Sequence, residues 1–373
     1  MPHTPETDEE DFDVEPAPEP PVHYAEQALL GALLLDPEQL ARTEALLPEH
    51  FQAASHRAVY AAMRTLTPPE PELHRKEPAW INAVLARAVD EAPGVSTAYL
   101  HTCIGACPRP QHAASYAQMI RADHARRTLR EHAMRLEQLA TDTTLPDPVA
   151  AVAEQAGVLA RFVDELAGQT RPHPGSLPRT PLPADPPPER TEEALEEERL
   201  FLATATDRAG DLKELPLRAE DFALPLHGQL YQCLTALALR GEVIDPITVL
   251  WEAQHHGLLA PSNARPEDVL ARLSQPAGSP EHWAEQILQR ALLLGAHRTA
   301  IRIRAFAEDP ANSPHQLATG TRRALADLTA QQARCRLRAP PSTTATTERP
   351  RPPSAKPAIH APPALHASRG NRR

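Results

Sequence analysis

The sequence predicts an all-α protein: two small helical bundles, joined and flanked by Pro-rich segments. Three observations carry this. Apolar residues recur at helical spacing through most of the chain. Runs of β-branched and aromatic residues with a period of two are absent. A pattern in the first half returns in the second at a fixed offset.

Pro marks the boundaries. Of 373 residues, 42 are Pro, and about half of these fall in the first 22 residues, in 168–189 and in the last 34. Such stretches bury too little apolar surface to offset the entropy of ordering, so they are expected to be disordered or extended. The expected organisation is an acidic tail (1–22), a first bundle (23–167), a linker (168–189), a second bundle (190–333) and a basic tail (334–373).

In the first bundle, Ala25, Leu29, Leu30, Leu33 and Leu34 form one helix face. Asp36 then reads as an N-cap, with Pro37 at the first helical position and Gln39 where a capping box places it. Ser55 reads as the cap of a helix carrying Val59, Tyr60, Met63 and Leu66. Short helices follow around Trp80–Leu85 and Tyr99–Ile104. After Pro110 comes a long polar helix through Tyr116, Ile120, Leu129 and Leu136.

The second bundle repeats the first. A shift of 171 positions aligns 25–66 with 196–237 without a gap, pairing Glu26 with Glu197, Leu30 with Phe201, Leu46 with Leu217, Phe51 with Phe222, His56 with His227 and Tyr60 with Tyr231. Further on, Glu77-Pro78 matches Asp245-Pro246, and Tyr116-Ala117 matches Trp283-Ala284. Matched aromatics at one offset indicate an internal duplication.

Two passages of the first copy resemble the amino-terminal domain of DnaB-type replicative helicases: the opening Tyr24–Pro37, with Glu26, Gln27, Leu30, Gly31, Leu34, Asp36 and Pro37, and the helix Ser55–Met63, with His56, Arg57, Tyr60 and Met63. Ala98-Tyr99-Leu100, Tyr116–Arg121 and Arg127 resemble its later helices. The second copy keeps Gly241–Val249, including Asp245 and Thr248, but has Phe201-Leu202-Ala203 where the family has Leu-Gly-Ala. The resemblance implies helical hairpins that dimerise, help form a ring collar and contact the primase.

The expected role of these signature residues is structural. Gly31 inside a helix costs about 1 kcal/mol relative to Ala and points to a close helix approach, with different packing where the second copy lacks it. His56 and His227 are expected to pack or cap, having no convergent catalytic partner. Phe51, Tyr60, Phe222 and Tyr231 read as core aromatics rather than base-stacking platforms.

Catalysis is not expected. A RecA-like motor needs a Gly-rich loop ending in Gly-Lys-Ser/Thr, whose backbone N–H groups cradle phosphate. The chain has Lys only at 76, 213 and 356, and none follows Gly. Gly-x-Ser-x-Gly and His-Glu-x-x-His are absent as well. No cofactor is implied. Cys103, Cys107, Cys233 and Cys335 lack zinc-site spacing and read as buried or idle thiols. An acidic amino terminus and the lack of an 18-residue apolar run point away from export and membrane spanning, so the cytoplasm is the expected setting.

The net charge is −11, acidic at Glu6–Glu15 and basic at the carboxyl end through Arg334, Arg336, Arg338, Arg349, Arg351, Arg372 and Arg373. Three functional readings stand at this stage. The leading one is a non-catalytic, replication-associated interaction module that binds a replicative helicase or primase, folded as a monomeric pseudo-dimer or a homo-oligomer. The second is an accessory protein that binds nucleic acid weakly and non-specifically through its basic tail. The third is a motor-less subunit of a helicase ring.

Overall fold

Helices build all the regular structure among the described residues of the computed structural model, which are 18–170, 175, 177–259 and 264–336. The first copy comprises α1 (Pro21–Leu35), α2 (Ala54–Thr65), α3 (Pro71–His74), α4 (Ala79–Glu91), α5 (Thr97–Ala106), α6 (Ala113–Thr141) and α7 (Pro148–Gln169). The second comprises α8 (Glu192–Asp207), α9 (Pro225–Arg240), α10 (Pro246–His255), α11 (Pro266–Arg272), α12 (Pro280–Glu308) and α13 (Pro314–Arg336). None is long and apolar enough to cross a membrane.

Start signals follow from side-chain chemistry. Asp147 accepts from Ala150 N–H, Thr191 from Ala194 N–H and Ser279 from His282 N–H, each occupying an orphan donor at a helix start. Asp245 accepts from Ile247 and Thr248 N–H, and Thr248 Oγ1 accepts in return from Asp245 N–H, closing a capping box. At its end α9 stops on Gly241, whose φ of 70° suits a residue without Cβ.

Two predicted starts differ. Asp36 begins a 3₁₀ segment (Pro37–Thr43), where it accepts from the Gln39 side chain and caps no backbone N–H. The helix after it begins at Ala54 without a local side-chain cap. Ser55 hydrogen-bonds to the Tyr99 hydroxyl at 2.7 Å instead.

Among the described residues the apolar side chains form three cores. Leu29, Leu30, Phe51, Tyr60, Trp80, Leu100 and Ile120 anchor the first head. Phe201, Phe222, Leu230, Tyr231, Val249 and Ile287 anchor the second. The third core belongs to neither copy alone. Ala125, Leu129, Ala133 and Leu136 of α6, with Val152, Leu159 and Val163 of α7, pack against Leu292, Ala296, Ala300 and Ile303 of α12 and Leu317 and Leu328 of α13. The lower halves of α6 and α12 thus leave their heads and form, with α7 and α13, a bundle of two helical hairpins. Alanines at the crossing let the long helices approach closely.

The segment joining the copies is described from Leu177 onward, after the end of α7 at Gln169 and Gly175. Residues 179–190 have no regular structure but are tied down, with Thr180 donating to Asp309 and Arg190 to the Ala223 carbonyl. The basic end begins later than its sequence suggests. Arg334 and Arg336 belong to α13, and Arg334 makes a two-pronged bond to Asp221 at 2.5 and 2.9 Å. Arg334 is therefore a fold-holding residue rather than part of a free arm. Arg338, Arg349, Arg351, Arg372 and Arg373 lie outside the described residues.

Candidate interaction surfaces

Each head is closed by a carboxylate acting at a distance. Glu26 of α1 is fully buried and accepts from Gln52 N–H (2.5 Å) and Ala53 N–H (3.4 Å), while His56 Nδ1 lies 2.6 Å from it. Glu26 thereby holds from another helix the turn that leads into α2, beside the positive end of that helix. The second copy repeats the device with Glu198, which accepts from Ala223 and Leu224 N–H with His227 Nδ1 at 2.9 Å. His56 and His227 are packed residues of this clamp.

The clamp corrects the register of the repeat. Glu26 reaches a residue 26 positions onward, whereas Glu198 reaches one 25 positions onward. One residue is missing between helix and clamp in the second copy, so Glu198, not Glu197, stands for Glu26. In this register Phe201 replaces Leu29 and Ala203 replaces Gly31. Glu197 points elsewhere and pairs with Arg290.

Gly31 is where α5 meets α1. A Cβ there would stand 2.0 Å from the Cys103 carbonyl oxygen, so only Gly permits this approach. In the second copy the contact changes character. Its α11 has seven residues against ten in α5, and Thr204 of α8 donates to the Ala277 carbonyl. The packing differs where the Gly is lost, as its absence implied.

Most signature residues lie inside. Leu30, Leu34, Pro37, Phe51, Tyr60, Met63, Phe222 and Tyr231 are buried; Gln27, Asp36, Tyr116, Asp245 and Thr248 are half-buried; Arg57 is exposed and donates to the Phe51 carbonyl. Burial pushes the Tyr231 hydroxyl up to about 12 and the Cys103 and Cys233 thiols to about 11, so none ionises near neutrality. No group of three His, Cys, Asp or Glu stands ready for a metal among the described residues. A cleft of about 1040 Å³ opens beside His50, Arg121, His124, Phe162 and Glu165, but these bring no nucleophile and base together.

What the arrangement offers is surface. The hairpin faces are covered by each other, with Arg304 bonded to Glu137 and Arg322 to Asp164 across the copies. The head of the second copy leaves an apolar stripe uncovered: Val243, Ile247 and Trp251, at four-residue spacing along α10 and its approach, with Leu239 nearby in sequence at the end of α9. Trp251 is 61% exposed, whereas Trp80 in the first head is buried and donates to the Leu33 carbonyl. Sequence reasoning missed this stripe. The signal was present within the helix itself, since Ile247 and Trp251 stand four residues apart on one side while its buried face is Val249, Glu252 and Ala253.

Comparison with known proteins agrees with this architecture. Searches of curated proteins and of solved structures find no match. The family model of the DnaB-like helicase N terminal domain matches twice, over residues 19–122 and 191–289, which are the two heads with the start of each long helix. Two matches spanning more than half of the chain, on two helical heads built around the same carboxylate clamp, place this chain in the DnaB-like helicase N terminal domain family.

Proposed function

We propose that this chain is a non-catalytic assembly module of DNA replication, a pseudo-dimer of two helicase amino-terminal domains that binds a replicative helicase ring or its primase through the outer faces of its heads. The observation that carries the reading is the shared core of the two hairpins. A chain that satisfies its pairing face internally has its head faces left for partners. Of these, the face along α10 carries uncharged apolar groups whose burial would supply affinity, about 1.5–3 kcal/mol for each large side chain fully covered. The absence of a Lys-bearing phosphate loop from these 373 residues is consistent with a role that uses no nucleotide.

Light scattering on the purified chain, alone and mixed with the host's replicative helicase or primase, tests this. The expected result is a 40.8 kDa monomer that shifts into a larger complex with one of the two. Replacing Ile247 and Trp251 with Ala should weaken that complex at least tenfold while leaving the helical signal unchanged. Binding to neither protein would refute the proposal.

A further inference from the structure

We propose that Gly175 and residues 177–185 form a latch that fixes the two hairpins as partners within one chain and prevents exchange with a second chain. The inference rests on the pseudo-dimer reading and adds the device that enforces it.

The latch closes on the turn between α12 and α13. Gln316 is almost fully buried, and its side-chain amide donates to the Gly175 and Leu177 carbonyls at 2.9 and 3.0 Å. Asn312, also buried, accepts from Arg179 N–H at 2.9 Å and donates to Thr180 Oγ1 at 2.7 Å and to the Phe306 carbonyl. The Thr180 hydroxyl passes its own proton toward Asp309, 2.6 Å away. The result is a relay of amide, hydroxyl and carboxylate pointing one way. The Thr180 hydroxyl, with Ala311 N–H, holds the Asp309 carboxyl below its usual range, so it is an ionised acceptor at neutral pH. Asp185 then pairs with Arg302 at 2.9 Å. Pro178 seats on Gly320, where a Cβ would stand 2.3 Å from the proline ring.

The first copy holds the same turn from its other side. Arg126 of α6 donates to the Asp309 and Asn312 carbonyls at 2.5 and 3.0 Å. The turn is therefore bonded to the first hairpin and to the segment that leaves it.

Chain length makes this decisive. Helix α7 ends at Gln169, and the first latch contact is Gly175, so only residues 170–174 lie between. The six residue steps from Gln169 to Gly175 span at most roughly 22 Å. While the latch is closed, the end of α7 cannot move far from the start of α13 of its own chain. Because Asp185 and Arg190 tie the rest of the segment to Arg302 and the Ala223 carbonyl of the second copy as well, the closed segment keeps the first hairpin beside the second hairpin of its own chain. Once it opens, the whole linker is available, and exchange between chains becomes a matter of concentration.

The test is refolding from denaturant at high protein concentration, followed by light scattering and circular dichroism. The full-length chain should return as a monomer. Three variants should instead yield a dimer of twice the mass with the same helical signal, its share raised about tenfold. They are Thr180→Val with Asn312→Ala, Gly320→Ala, and replacement of residues 177–185 by Gly and Ser. Gly320→Ala is informative because Ala favours a helix, so a loosened latch opposes its ordinary effect. The Gly/Ser replacement touches neither head core and decides the matter if the double variant folds poorly. Variants that stay monomeric like the parent would overturn the latch and leave the pseudo-dimer standing. A parent chain that is itself a dimer would overturn the pseudo-dimer.

Discussion

The two heads share one clamp but differ around it. In the first, α1 presses its backbone against α5 through Gly31, and the tryptophan of α4 is sealed into the core. In the second, Ala203 holds that place, the opposing helix is short, and half-buried Thr248 stands where the aligned helix of the first carries Trp80. What survived divergence is the carboxylate that holds the turn leading into the next helix; what drifted is the packing on the far side of the carboxylate's own helix. A buried carboxylate with two backbone donors and an imidazole has no substitute of equal geometry, whereas an apolar contact can be remade with other residues.

The clamp therefore yields the largest expected effect. Removing Glu198 leaves two N–H groups and a histidine without their acceptor in the core. Glu198→Ala should cost about 3 kcal/mol or more in denaturant unfolding, and Glu26→Ala a similar amount. Glu197→Ala, the counterpart of Glu26 in the gapless repeat, breaks a half-exposed pair with Arg290 and should cost about 1 kcal/mol or less. Equal losses at 197 and 198 would show that the register given by the clamp is wrong.

The glycine contrast comes next. Gly31→Ala drives a methyl into the Cys103 carbonyl and should destabilise the first head by about 2 kcal/mol through overpacking. Ala203→Gly in the second head removes a buried methyl without overpacking and should cost the helix propensity difference plus that burial, about 1–2 kcal/mol. Thermal unfolding of the two variants separates these. A neutral Gly31→Ala would mean that α5 can slide away and that the close approach is not required.

Much of this fold was legible in sequence. The helical class, the duplication and the places of α6 and α12 follow from apolar spacing and from matched aromatics such as Phe51 with Phe222 and Tyr60 with Tyr231, which need no long-range knowledge, whereas α7, α13 and the core they share with α6 and α12 went unread. The sequence places the start of α2 too late, with Ser55 as its cap, because the turn that leads into it is held by Glu26, far back in the chain. A slip of one residue between the copies is equally hidden where five candidate acids, Glu192, Glu193 and Glu196 to Glu198, stand close together. A turn of 100° per residue decides which of them faces the next helix, and composition carries no such angle. Arg334 was grouped with the tail by its charge, although the acid it meets, Asp221, lies more than a hundred residues earlier.

The smallest effect concerns the point where each head meets its hairpin. His50 ends a 3₁₀ turn (Pro48–His50) as Asp221 ends its counterpart (Ala219–Asp221), and each side chain accepts from the backbone N–H three residues before it, Leu47 or Arg218. Asp221 is held by Arg334, while His50 stands against His124 with ring centres 4.5 Å apart. Burial, then the neighbouring His124 and Arg121, pushes His50 down to about 4, and burial also lowers His124. A histidine whose folded value lies below its unfolded 6.5 favours folding only while neutral. Its contribution is complete above about pH 6.5 and declines as the pH falls toward 4. Because the ring is half-exposed, solvent screening limits the loss to about 1 kcal/mol. His50→Asn keeps an acceptor for Leu47 N–H and removes the titration, so its stability should fall less than the parent's between pH 7 and 4.5. Parallel curves would show that the histidine pair does not sense pH, and that the two junctions differ in residue type but not in behaviour.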